Sequence, residues 1–257
     1  MAEISLTYNL KGMAEFIEVA IHTILYARQI YPPDLFVRRK RYDMPVFQSR
    51  HPALNEYISG AVKAIADELA SGNIQKVVIV IKDKDQVPLE RFIFAVQNMI
   101  EVEAYNRDVS VQEAMTSAAL SRYFRAFLVK LSMVESQLGS LEPQGSLAQS
   151  IQASCTNYVT DDASFAILLE LRDDKEPPIG PQDDMSQDPP PWVPADKQYT
   201  TLGTPDDAQL HLLRVVETGI VNLSLAVQES KEKLERLKKP PNKSNSDQNG
   251  KESEKPT

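Results

Sequence analysis

The chain has 257 residues, 42% of them apolar, a formal net charge of −8 and one cysteine. That length and apolar share allow one substantial core with appendages. The acidic balance excludes a protein that grips DNA or a phospholipid surface by bulk charge, because counterion displacement needs lysine and arginine in excess.

The lone Cys155 leaves no intrachain disulfide, and the opening MAEISLTYNLKG lacks the basic and apolar regions of a signal peptide. No apolar run approaches the length of a bilayer span, so no membrane partner is expected. Residues 13–31, MAEFIEVAIHTILYARQIY, lead into Pro32 and Pro33. At the helical period Phe16, Ile17, Ala20, Ile21, Ile24, Leu25 and Ile30 cover most of the circumference, and Glu15, Glu18, His22 and Gln29 leave a narrow polar stripe. This predicts a helix buried on several sides and stopped by the prolines. DLFVRRKRYDMPVF, residues 34–47, is too short and too Pro-marked for a long element. Over residues 28–41 five basic side chains stand against Asp34. It reads as a solvated hairpin or loop, with phosphate or partner binding through residues 38–41 as the alternative.

Residues 51–73 read as a second helix, opened by Pro52 and closed by Gly72 and Asn73, with Leu54, Tyr57, Ile58, Ala61, Ile65 and Leu69 at threes and fours. QKVVIVIK, residues 75–82, is a nearly continuous β-branched run, as a strand covered on both faces should be. DKDQ turns it into residues 87–96, where Phe92, Phe94 and Val96 alternate with Arg91, Ile93 and Ala95, predicting an antiparallel hairpin. A polar connection over 97–110 precedes a third helix expected from Val111 to Leu138.

Residues 139–163 are rich in Ser, Gln and Gly and read as a flexible loop. SFAILLELR, residues 164–172, is a further strand. Residues 161–188 then hold nine acids against Arg172 and Lys175, and seven prolines fall between Pro177 and Pro194. Such a segment buries too little apolar surface to order itself, yet it leads to Trp192, the only tryptophan. Residues 210–216 and 220–227 predict a terminal hairpin, ESKEKLERLKK a short charged helix, and the last eighteen residues a disordered tail. The order of elements is that of an α+β fold whose last third hangs on long connections.

Little in the chain supports catalysis. His22, His51, His211 and Cys155 lack metal-ligand spacing, so neither a metal nor a cofactor is expected. No nucleophile elbow or phosphate-binding glycine loop occurs. The paired acids, such as Asp83 and Asp85 or Asp161 and Asp162, lie in turns and linkers, where turn chemistry explains them. A hydrolase using Cys155 or an acid pair is the rival reading from another class. What remains is recognition: a sheet edge opened by flexible connections accepts an extended peptide as an added strand.

FIEVAIHTILYARQIYPP, FVRRKRYDMPV, HPALNEYI, KVVIVIKDKDQVPLERFIFAV and RYFRAFLVKL, in this order, resemble HORMA-domain proteins. Within that family they are most similar to the adaptor subunits of translesion DNA polymerase zeta. The likeness runs from residue 13 to about 96 and over 122–131, and rests on PPPWVPAD and the final hairpin in the last third. It implies three helices on an antiparallel sheet with a mobile C-terminal safety belt. The corresponding division is a flexible N-terminus (1–12), a HORMA domain (13–228) and a charged helix with a disordered tail (229–257). Within the domain the core covers 13–163 and the belt about 164–228, with the acidic Pro-rich insertion at 173–191.

The resemblance further implies a non-catalytic adaptor in translesion synthesis and DNA damage tolerance, nuclear and also cytoplasmic. Its belt would close over a peptide of the polymerase's catalytic subunit lying on Tyr57 and Trp192. From the residues alone, Tyr57 reads rather as a core-edge tyrosine and Trp192 as an anchor for its loop. Leu210 corresponds to a contact with a Y-family polymerase scaffold, while Ser224 and Ala226 stand where the family has Gln and Tyr. Arg125 corresponds to the arginine of HORMA homodimers, or is a solvated helix residue. A remodelling ATPase is the implied partner for reopening, and contact with DNA is expected to be indirect or weak. The second reading in the same class is a cell-cycle regulator that binds activators of the anaphase-promoting complex.

Overall fold

In the computed structural model, which describes residues 6–98, 117–139, 141, 163–172, 192–196, 208–217 and 221–238, everything packs around one helix. Helix α1 (Leu6–Ala27) has Phe16, Ile17, Ala20, Ile21, Ile24 and Leu25 fully buried, as their spread around the helix predicts. Phe16 sits at the centre, stacked on Phe124 at 4.5 Å and edge-on to Phe94 at 6.2 Å. These rings tie α1 to a second helix and to the sheet at one point.

Helix α1 begins earlier than Met13 and stops at Ala27, not at Tyr31. Gln29 takes a left-handed φ of 54°. Gln29 N–H donates to the Tyr26 carbonyl and Ile30 N–H to the Leu25 carbonyl. This paired pattern ends a helix two residues after its last full turn, with the role of glycine played by glutamine. A 3₁₀ turn (Pro33–Leu35) then leads into a two-stranded hairpin, β1 (Phe36–Arg41) and β2 (Met44–Ser49). Its two turn residues, Tyr42 and Asp43, have φ of 50° and 56°, the twist that suits tight hairpins.

Helix α2 (Pro52–Ser71) is capped by His51, whose ring accepts the Leu54 N–H, and ends on Gly72 at φ 73°. Strands β3 (Ile74–Asp83) and β4 (Pro88–Asn98) form the expected antiparallel hairpin. At its turn Asp83 Oδ1 accepts the N–H groups of Asp85 and Val87, so this acid pair does the work of a turn. The expected third helix is two, α3 (Ser117–Ser132) and α4 (Val134–Leu138). Met133, at φ −101° and ψ 2°, interrupts them where its N–H bonds to the Lys130 carbonyl. Residues 111–116 of the predicted helix lie outside the described residues, as do most of the loop at 139–163, the acidic insertion and the tail.

Strand β5 (Ala163–Leu171), the hairpin of β6 (Gln209–Glu217) and β7 (Val221–Glu229), and helix α5 (Lys231–Lys238) complete the fold. The main sheet has the order β5-β3-β4-β7-β6 and is antiparallel throughout. Val77, Ile79, Ile81, Phe92, Phe94, Leu225 and Val227 face the helices and join the single core. Ala166, Leu168, Val78, Ile93, Ser224 and Ala226 line the opposite face. The result is α+β, helices on one face of an antiparallel sheet, as predicted.

Candidate functional site

Among the described residues β5 pairs with β3 alone, so one side of it is a free sheet edge. Its sequence, ASFAILLEL, is nine residues long and carries neither lysine nor proline, the usual guards of an exposed edge. Only Ile167 is fully buried, and the other side chains are half-buried. Glu170, the one charge, is paired on the face away from the helices with Lys76 at 2.5 Å on the neighbouring β3 and with Arg91 at 3.0 Å on β4. The opposite edge differs: β6 is kinked between Leu212 and Arg214 and lies against α3. Among the described residues, an extended chain laid along β5 finds a row of backbone donors and acceptors with no strand beside it.

Aromatic side chains flank this edge. Tyr57, 48% exposed on α2, meets the Phe165 ring edge-on at 5.7 Å, and Tyr31 meets the same ring edge-on at 6.3 Å. Burial, with Tyr57 adding a smaller share, pushes the Tyr31 hydroxyl above its ordinary pKa and keeps it protonated as a donor. The predicted Tyr57 thus belongs to a group of three. Phe165 is the only aromatic in its strand and shares parity with the inward Ile167, a signal the sequence carried unread. Tyr31, followed by Pro32 and Pro33, reads in the sequence only as a helix end. Trp192 is half-buried against the core, and its indole nitrogen is enclosed without a hydrogen-bond partner among the described residues. It makes no ring contact with Tyr57 there.

The terminal hairpin presents a second surface. Leu210 is 63% exposed and lies opposite Gln228. Leu212 pairs with Ala226 and Val215 with Ser224, which places Leu210, Ser224 and Ala226 on one face of the hairpin. Leu212 and Val215, exposed beside them, were not predicted; they supply apolar bulk where Ser224 and Ala226 are small. Arg125 stands exposed on α3 with Arg122, Val129 and Met133 along the same side.

The hairpin residues 38–41 are exposed, and Lys40 pairs with Asp43. Between this hairpin and α1 lies a cavity of about 290 Å³ lined by Glu15, Glu18, Arg39, Arg41 and His22. Burial drives the His22 pKa down to about 4, so its ring is neutral, with Nδ1 accepting the Ser49 N–H. His51 caps α2, and His211 contacts Glu229. Among the described residues no three of His, Cys, Asp and Glu gather as metal ligands; Cys155 lies outside them. No described helix is long and apolar enough to cross a membrane.

A family model described as the HORMA domain matches residues 10–152. The mitotic spindle assembly checkpoint protein MAD2B of Gallus gallus is 29% identical over 217 residues, covering 84% of this chain and 89% of that protein. The DNA polymerase zeta processivity subunit of Schizosaccharomyces pombe is 36% identical over 132 residues, covering 51% of this chain and 62% of that protein. Among solved structures, a chain of the mitotic checkpoint complex superimposes with a TM-score of 0.57 at 20% identity, covering 86% of this chain and 98% of its own. C. elegans HTP-2 bound to the HIM-3 closure motif does so with a TM-score of 0.58 at 10% identity, covering 88% and 92%. At such identities the likeness is one of fold.

Proposed function

Because the chain belongs to the HORMA-domain family, we propose that it is a non-catalytic adaptor, the accessory subunit of DNA polymerase zeta in translesion synthesis. It captures an extended peptide of the catalytic subunit at the edge of β5. The observation that carries this reading is that unguarded edge, flanked by Tyr57, Phe165 and Tyr31. The name of the fission-yeast relative supplies the polymerase. Main-chain bonds to β5 give the peptide its affinity, and the aromatic group selects its side chains.

The belt, residues 164–228 with its insertion at 173–191, closes over the peptide and brings Trp192 to it. Release then requires a rearrangement, so dissociation is slow, and a remodelling ATPase is the partner that reopens the belt. Leu210, with Leu212 and Val215, takes the Y-family polymerase scaffold, and Arg125 marks the face for a homodimer. The adaptor works in the nucleus and also occurs in the cytoplasm.

The test is isothermal titration with a synthetic peptide of the catalytic subunit, with hydrogen exchange on the free and bound chain. The expected result is tight binding with new protection over residues 163–171, weakened about tenfold in Tyr57→Ala by loss of one aromatic contact. No heat and no new protection would sink the capture reading. The checkpoint names of other relatives favour a second reading, a cell-cycle regulator that binds activators of the anaphase-promoting complex. A pulldown that retains those activators in preference to the polymerase decides for it.

A further inference from the structure

Where α5 meets the body, four charged side chains are buried together. Glu90 on β4 is fully enclosed, and Lys233, Glu229 and Arg28 are 1%, 3% and 4% exposed. Arg28 grips Glu90 with two bonds, Nε to Oε2 at 2.9 Å and Nη2 to Oε1 at 2.6 Å, and its Nη1 donates to the Gly139 carbonyl at 2.9 Å. Lys233 Nζ donates to Oε1 of Glu229, four residues back at the end of β7, to Glu90 Oε1 at 2.5 Å, and to the Leu138 carbonyl at 3.0 Å. His211 Nε2 lies 2.7 Å from the other Glu229 oxygen.

The cluster divides along the chain into two pairs. Arg28 and Glu90 belong to the body, and Glu229 and Lys233 to the C-terminal segment, and each pair is neutral by itself. A single ammonium joins them. A buried charge stripped of its partner is strongly disfavoured, and separating these halves strands none. The joint therefore holds the segment in one place and still lets it leave. Its position matters because β7 follows β4 in register from Glu90–Glu229 to Asn98–Val221, and β6 and its exposed leucines ride on β7.

We infer that Lys233 is the positioning residue of the C-terminal hairpin: by joining two self-neutral pairs it seats β7 on β4 and so governs the part of the belt that carries the second docking surface. This rests on the capture reading only in giving the hairpin its role. Removing Lys233 leaves Glu90 with the Arg28 guanidinium and Glu229 with the His211 ring at 2.7 Å, so Lys233→Met retains a hydrogen-bonding partner for each carboxylate and folds. Glu90→Gln, by contrast, strands Arg28 in the body.

The test is hydrogen exchange on the full free chain, comparing residues 209–229 with β3 (74–83). In Lys233→Met, exchange over 209–229 rises at least about tenfold while β3 is unchanged, and Lys233→Arg, which keeps the charge, restores protection. In Glu90→Gln both regions exchange faster. Unchanged exchange over 209–229 in Lys233→Met, an equal rise in β3, or failure of Lys233→Arg to restore protection overturns the inference. Since no peptide enters the measurement, loss of this joint leaves capture at β5 intact, and failure of capture leaves the joint intact.

Discussion

His22 shows how one buried ring turns into a pH dependence. Its Nδ1 accepts the Ser49 N–H at 3.4 Å, its side chain is 3% exposed, and burial lowers its pKa from 6.5 to about 4. Below about pH 6.5 the unfolded chain binds a proton that the folded ring refuses until about pH 4. Stability is therefore full above that window and falls as the pH drops through it. The difference amounts to about 2 kcal/mol between pH 7 and pH 5. Urea unfolding at the two pH values checks this: His22→Gln, whatever its stability at pH 7, is expected to lose that much less on acidification. An identical loss in the variant assigns the acid sensitivity to the carboxylates. The helix ends teach a related lesson. Gly72 announces the end of α2, whereas Gln29 ends α1 in the same left-handed geometry without announcing it. There the identity of the residue carries no signal, because the hydrogen bonds to Leu25 and Tyr26 and the buried Ile30 impose the conformation.

Single elements were the most legible level. The β-branched run of β3 and the alternation of β4 both became the strands they predicted, since a two-residue period leaves one choice of face. The long third helix was legible in type but not in continuity, for nothing at Met133 marks a break. Leu210 and Leu212, on one face of the terminal hairpin, are 63% and 67% exposed and point away from the core. Replacing both with glutamate therefore changes thermal stability little, within about 0.5 kcal/mol for exposed sites. It is expected to weaken a partner on that face by at least about tenfold while peptide capture at β5 is unchanged. Binding assays with each partner on the same variant separate the two surfaces, and parallel loss of both would show that the hairpin face is not a separate site.

At the scale of the whole molecule, topology constrains the connection between β5 and β6. The two strands are the opposite edges of the main sheet, so residues 172–208 must cross its full width, roughly 19 Å at about 4.8 Å per strand. Removing residues 178–189 leaves about 25 residues, whose extended reach of roughly 80 Å still exceeds that span several-fold. Loop closure depends only weakly on length. Such a shortened chain is expected to melt within about 2 °C of the full one and to bind the peptide within about threefold. A larger loss, read by calorimetry, would show that the acidic segment does more than span.

The sequence by itself determined the central helix, the two hairpins, the α+β class and the family, because these follow from local periodicity and from blocks of residues in a fixed order. The resemblance, and not the residue pattern, offered Tyr57 and Leu210 as contacts. The folded chain alone shows that β5 and β6 are the edges of the main sheet among the described residues, that Phe165 and Tyr31 join Tyr57 beside β5, that Leu212 and Val215 join Leu210, and that Arg28, Glu90, Glu229 and Lys233 meet in the core. Strand order and long-range charge pairing leave no local trace. Arg28 and Lys233 read as ordinary polar residues of a helix and its end until the fold brings both to the one carboxylate of Glu90, removed from water.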